Sequence, residues 1–251
     1  MTFARGLANG HLPCLRYDER AFNWTFGIRH MQVREALALR KSTRAFLSTP
    51  VEREKIEGIL DAARHAPSGG NMQPWQVAVV SGATKQALQE RLESAFRSGQ
   101  QGDPDYRYYP ENWQPPYQER RRACGLQLYS AVGITRQDKQ RQIDQWAANY
   151  RSFDAPVMLF FFMDTILETG SYLDLGMFLQ SLMLSAVEEG LATCPQASLA
   201  EYPNLVRQAL GYGDDVHLLC GMALGYENPD AAINSYRTPR ETVPRFTRFF
   251  G

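Results

Sequence analysis

Two short strings carry the residue types that can hold an anion. The first, Arg40-Lys41-Ser42-Thr43-Arg44-Ala45-Phe46, sets two arginines and a hydroxyl at positions 40, 42 and 44, which fall on one side of an extended segment. Two guanidinium forks and a hydroxyl there can grip a phosphate and neutralise a second charge beside it. A solvated basic turn has the same composition. The second string, Pro67-Ser68-Gly69-Gly70-Asn71-Met72-Gln73-Pro74-Trp75, offers side-chain donors and acceptors on a loop whose glycines permit close backbone approach to a ligand. A plain connector between helix and strand reads equally well there. A third stretch, residues 99–117, sets Tyr106, Tyr108, Tyr109, Trp113 and Tyr117 among prolines and glycines. Irregular segments of that length are uncommon in compact domains. The rings can form a lid that stacks an aromatic acceptor, or can cover a core or an interface.

Several chemistries are excluded by what is missing. No G-x-G-x-x-G follows a strand, no G-x-x-x-x-G-K-[ST] exists, and Gly211-Tyr212-Gly213 precedes a strand instead, which disfavours a dinucleotide domain of the doubly wound type. No G-x-S-x-G string marks a serine nucleophile. His11, His30, His65 and His217 are dispersed, so no metal site is expected. Cys14, Cys124, Cys194 and Cys220 form no C-x-x-C pair, and scattered thiols suit a reducing compartment. Cys194 reads as a small residue in a tight turn rather than a redox thiol.

The elements that must position these residues follow from periodicity. Helices are expected from Met31 to Arg40, from Val51 to His65 and from Ala83 to Arg97, with Ile56, Ile59, Leu60 and Ala63 as the buried stripe of the second. Two polar helices should follow near 118–131 and 138–149. Trp75 to Val80 and His217 to Leu224 read as strands. The unbroken apolar run between Ala155 and Met163 reads as a central strand covered on both faces. The helix from Tyr172 to Glu189 is apolar on more than one face, which suits burial at a subunit interface. Ser198 is placed to cap a short helix from Leu199 to Leu210. Residues 1–30 read as an N-terminal extension of unknown role, with Met31 a possible true start, and 31–251 as a single α+β or α/β domain.

The chain has 251 residues, 27 Lys+Arg against 27 Asp+Glu and 44% hydrophobic residues, all values of a globular protein. Only four of the basic residues are lysines, and 23 are arginines. A neutral total charge lacks the field that gathers polyanions, so no nucleic-acid partner is expected. No stretch reaches the ~20 apolar residues of a membrane span, and no signal peptide is evident. A cytoplasmic protein without a membrane partner is expected.

Taken together and in order, RKSTRAF and APSGGNMQPW resemble the nitroreductase family of FMN-dependent oxidoreductases, whose pattern is R-x-S-x-[RK]-x-F followed about 25 residues later by A-P-S-x-x-N-x-Q-P-W. The resemblance continues through EREKIEGILDAARH, FDAPVMLFFF, YLDLGMFLQSLMLSAVEEGLATCPQ and NSYRTPRETVPRF, and covers roughly residues 31–251. It implies a three-layer α+β fold, with a central mixed β-sheet flanked by helices, in an intertwined homodimer. It implies that Arg40, Lys41 and Ser42 contact the FMN phosphate and ribityl chain, and that Arg44 lies by the flavin pyrimidine edge. Arg237 and Arg240 match the family's C-terminal phosphate-binding residues, either or both of which would make the contact. Pro67, Ser68, Asn71 and Gln73 match the loop that the second subunit contributes to the same flavin, and Asn149 matches a flavin-contacting Asn although the spacing is off by one. Pro195, Gln196, Ala197 and Ser198 match the turn whose backbone N–H groups address flavin N5 and O4. In the family, NADH or NADPH reduces the flavin and leaves, then an acceptor takes its place, with no acid–base side chain to name. The implied acceptors are nitroaromatics or quinones, with Tyr106, Tyr109 and Trp113 as the candidate acceptor surface. Enone or azo reduction and dehalogenation share the fold, but dehalogenating relatives use a Glu-Tyr-Lys trio in the lid, and 99–117 has no lysine. A flavin-binding protein without turnover is the alternative outside catalysis.

Overall fold

The run Val157–Asp164 forms strand β2, and every residue of it except the last is buried. A computed structural model describes residues 31–251, so the N-terminal extension and Cys14 lie outside the described residues. Residues 32–251 form one compact unit. Because side chains alternate along a strand, β2 feeds two cores at once. Val157, Leu159, Phe161 and Met163 meet helix α2 (Arg53–Ala63) and helix α6 (Ser171–Glu188). Met158, Phe160 and Phe162 point the other way, toward helix α3 (Gly82–Arg97), helix α7 (Pro203–Leu210) and Tyr150. The result is three layers, helix on sheet on helix.

The sheet order is β1-β2-β4-β3, with β1 at Gln76–Ser81, β3 at Ala192–Gln196 and β4 at Val216–Gly225. All three strand pairs are antiparallel. The expected mixed sheet is therefore corrected among the described residues: parallel pairing is confined to an isolated bridge between Ser42 and Thr193. That bridge lays the Arg40–Phe46 strip beside edge strand β3. Helix α1 (Val33–Leu39) leads directly into the strip.

Two further expectations change. Ser198 makes no capping bond; residues 197–200 form a short 3-10 turn, and α7 begins at Pro203, because proline fits the first helical turn. Cys194 and Pro195 lie in β3 rather than in a turn, so the turn starts at Ala197. Helix α6 ends at Gly190, whose φ of +71° favours glycine. It buries Leu175, Phe178, Leu182 and Met183 but leaves Leu173 75% and Met177 39% exposed.

The root of the 99–117 segment is fixed rather than loose. Asp105 accepts hydrogen bonds from Arg207 and from the Leu218 N–H, both at 2.7 Å. The Asp103 N–H donates to the Glu201 carbonyl at 3.1 Å. Gly102 passes so close to Glu201 that a Cβ would lie 2.8 Å from that carbonyl oxygen, which leaves room only for glycine. Helices α4 (Tyr117–Ala131) and α5 (Lys139–Ala147) follow. Among the described residues no helix is long and apolar enough to cross a membrane.

Candidate functional site

The Arg40–Phe46 strip is extended, as its alternation required, and two residues from the C-terminal tail hold it there. Thr43 N–H donates to the Thr193 carbonyl at 3.0 Å. The buried Asn234 accepts from the Arg44 N–H at 2.8 Å and donates to the Ala45 carbonyl at 2.8 Å. Arg237 donates to the carbonyls of Ala38, Leu39 and Arg40. The tail is thus a clamp on the strip. Asn234 was invisible in the sequence, where Ala-Ile-Asn-Ser reads as an ordinary turn.

Three cations converge on this clamp. Burial lowers the pKa of the Arg40 guanidinium, and the nearby charges of Arg240 and Arg237 lower it further. Arg40 has no carboxylate partner among the described residues. Lys41 differs: it pairs with Glu227 at 2.6 Å and donates to the Asn234 carbonyl at 2.7 Å, so its charge is already matched. Arg44 donates to the Ser42 carbonyl at 3.3 Å. Among the described residues Arg240 donates only to Thr238 and Pro239, within its own turn. Arg237 therefore serves the backbone, while Arg240 is free to turn toward a ligand.

Cys194 is buried beside this strip, and burial raises its thiol pKa against the influence of Arg44, so it stays a thiol at neutral pH. Several shielded polar atoms nearby lack a hydrogen-bond partner among the described residues: Thr193 Oγ1, Gln196 Oε1 and the Tyr236 hydroxyl. Such orphans are uncommon in native proteins and mark places where a partner is missing.

The other expected residues fall into separate groups. Gln196 donates to the Asn149 carbonyl at 2.8 Å and to its Oδ1 at 3.4 Å, which joins two candidates from distant parts of the chain. Pro195 has no N–H to offer, so Gln196, Ala197 and Ser198 remain as backbone donors there. The 67–73 loop folds on itself: Ser68 Oγ accepts from the Gln73 N–H at 2.9 Å, and Gln73 donates to the Asn71 carbonyl at 3.3 Å. Gly70, Asn71 and Gln73 all have positive φ. The Gly69 N–H reaches Asp174 of α6 at 3.3 Å, while Pro67, Asn71 and Gln73 are exposed. Among the described residues, no hydrogen bond joins this loop to the arginine strip.

The aromatic segment divides in two. Tyr106 leaves the expected acceptor surface: its hydroxyl donates to the Leu219 carbonyl at 2.7 Å, and its ring packs 5.2 Å from Tyr172 against the core. Tyr109 and Trp113 do come together, 5.5 Å apart, with Tyr108 4.7 Å from Tyr109.

Fold and site together define an α+β protein with a cluster of arginines beside a sheet edge. Residues 37–226 match the family model described as the nitroreductase family, and the chain belongs to that family. It is 40% identical to 4-nitrobenzoate reductase of Pseudomonas putida over 86% of this chain and 94% of that relative. It is 36% identical to chloronitrobenzene nitroreductase of Comamonas testosteroni over 84% and 93%. Among solved structures, the FMN and NADPH-dependent nitroreductase NfnB from Sphigopyxis sp. strain HMH superposes with a TM-score of 0.85 at 42% identity, covering 88% of this chain and all of that one.

The clamp assigns different jobs to two neighbouring arginines. Arg237→Gln should destabilise the ligand-free protein by roughly 1 kcal/mol, a fall in Tm of about 2–4 °C, and should speed hydrogen exchange at the Arg44 amide. Arg240→Gln should leave both quantities unchanged. Equal effects of the two variants would contradict the clamp.

Proposed function

We propose that this protein is an FMN-dependent NAD(P)H oxidoreductase that reduces nitroaromatic acceptors as a homodimer. The observation that carries the reading is that Arg237 is bonded to the Arg40 carbonyl at 3.3 Å, with the Arg240 charge near Arg40 and no carboxylate paired to any of the three among the described residues, on the strip where the family resemblance places the flavin phosphate. The chemistry of the donor set fits that group. A phosphate can neutralise the cations, and side-chain atoms without a partner among the described residues lie on the adjoining edge strand β3, at Thr193 and Gln196, and on the tail, at Tyr236. When bound, FMN supplies a ring that takes a hydride from NAD(P)H and passes an electron pair to the acceptor.

The chain's own residues hold and tune that ring. Arg40, Arg240 and Ser42 grip the phosphate end, and Lys41, neutralised by Glu227, shapes the strip instead of supplying charge. Arg44 presents a fixed cation to the pyrimidine edge, where negative charge gathers on reduction, and so favours the reduced state. Asn149 and Gln196 brace each other, and they and the 196–198 backbone N–H groups would hold the ring. Tyr109 and Trp113 supply the acceptor's stacking surface. None of these side chains is assigned as a proton donor.

The homodimer rests on two features. The 67–73 loop and the arginine strip carry the two halves of the family's flavin motif, yet share no hydrogen bond among the described residues. A second copy brings one chain's loop to the other's strip. Moreover, Leu173 and Met177 of α6 and Val33 and Leu37 of α1 expose apolar surface of the kind that marks an association site.

In stopped flow, NADPH or NADH should bleach the bound flavin, and 4-nitrobenzoate should restore its colour, with parallel-line steady-state kinetics. Flavin that neither nicotinamide bleaches would refute the enzyme. For the shared site, Arg40→Ala protein should lack flavin, and so should a Ser68→Ala/Asn71→Ala double variant. Mixed dimers of the two should regain flavin at one of their two sites, and mixed dimers that stay colourless would place the whole site within one subunit.

A further inference from the structure

We infer that Arg121, held over the Trp113 ring, is a specificity-determining residue that selects acceptors bearing a carboxylate on the aromatic ring. The inference rests on the nitroreductase reading and adds a substrate class to it. The Arg121 guanidinium carbon lies 4.8 Å from the Trp113 ring centroid, and Trp113 in turn lies 5.5 Å from Tyr109. Two neighbouring arginines are already committed. Arg107 pairs with Glu111 at 2.7 Å, and Arg120 pairs with Glu241 at 3.0 Å while lying over Tyr117. Arg121 has neither an ion-pair partner nor a hydrogen-bond acceptor among the described residues. One face of its planar fork rests on an indole while its N–H edge stays available, which is the arrangement that takes a carboxylate in two parallel hydrogen bonds.

Its place in the fold ties Arg121 to the flavin site. The same helix, α4, donates from Gln127 to the Arg237 carbonyl at 2.9 Å, and Arg237 clamps the strip that carries Arg40. At 1.5 Å of rise per residue, Arg121 stands about 9 Å along α4 from that anchor. One end of α4 thus touches the phosphate-side tail and the other carries a cation on an aromatic platform. Burial raises the Tyr109 hydroxyl pKa and the Arg121 charge acts in the opposite direction, so the ring and the cation are near each other. A flat acceptor stacked against Tyr109 and Trp113 would carry its ring substituent to the Arg121 fork, and a carboxylate gains most from meeting it.

The test compares 4-nitrobenzoate with its methyl ester, which keeps the ring and nitro group but loses the charge, using the FMN-loaded enzyme. Wild type should favour the acid, and Arg121→Gln should raise the ratio of KM for acid over ester about tenfold, equivalent to ~1.4 kcal/mol. Arg121→Lys, which keeps charge but not the fork, should fall between. Arg122→Gln, a neighbouring arginine outside the site, should leave the ratio unchanged and so excludes a general charge effect. Benzoate, which has no nitro group to reduce, should perturb the flavin spectrum of wild type and do so about tenfold more weakly in Arg121→Gln. An unchanged ratio, or equal loss for acid and ester, would overturn the inference. So would a rise confined to the KM for NADPH, since Arg121 would then hold a cofactor phosphate. Wild type that reduces neither nitro compound would defeat the nitroreductase reading itself, whereas wild type that reduces both with equal KM would defeat only the carboxylate preference.

Discussion

Guanidinium groups close together repel one another, and the fold fixes Arg237 on the strip that carries Arg40, with the Arg240 charge near them. Arg237 is fixed to three carbonyls, Arg40 is half-buried on a strip bridged to an edge strand, and Arg240 follows three residues after Arg237. Burial first, and then the charges of Arg240 and Arg237, lower the Arg40 pKa. A bound phosphate reverses the sign of that balance, turning mutual repulsion into shared attraction. That balance is the physical basis of the proposed phosphate site.

The rest of the fold serves to hold the strip against this repulsion. Strand β2, buried on both faces, anchors β4, and β4 carries β3 at its far edge. The strip adds to that edge through the Ser42–Thr193 bridge, in the one parallel pairing among the described residues. From the other side the tail reaches back nearly the whole length of the chain, with Asn234 threaded between the Arg44 amide and the Ala45 carbonyl. An edge strand leaves a row of unpaired backbone groups. Here that row is used to fix a cationic segment in an extended form, where alternate side chains face one way.

Much of the fold was legible because its signals are local. The unbroken apolar run of β2, the stripe on α2, and Gly190 after α6 each dictate an element from within a few residues. The breaks came where tertiary contacts decide. Pro203 moved the start of α7, and pairing with β4 drew Cys194 and Pro195 into a strand. The expected mixed sheet came from resemblance, and no local pattern reports strand direction. At the site, alternation put Arg40 and Arg44 on one side of an extended strip, but a solvated basic turn fitted the same residues, and only the family resemblance gave them a role. The commitment of Lys41 to Glu227, the structural duty of Arg237 and the existence of Asn234 were not, since each depends on residues nearly two hundred positions away. Tyr106 shows the same limit: one tyrosine among five in a loop carries no mark that its hydroxyl will bind the Leu219 carbonyl.

The central claim, that the clustered arginines are a phosphate site for FMN, is tested most directly by comparing FMN with riboflavin, which differs only in lacking the phosphate. Titrating each into ligand-free protein and following flavin fluorescence gives the preference as a ratio of Kd values. The wild type should prefer FMN by orders of magnitude. An Arg40→Gln/Arg240→Gln double variant should lose that preference while binding riboflavin as the wild type does. A double variant that still prefers FMN as strongly would show that the phosphate is held elsewhere.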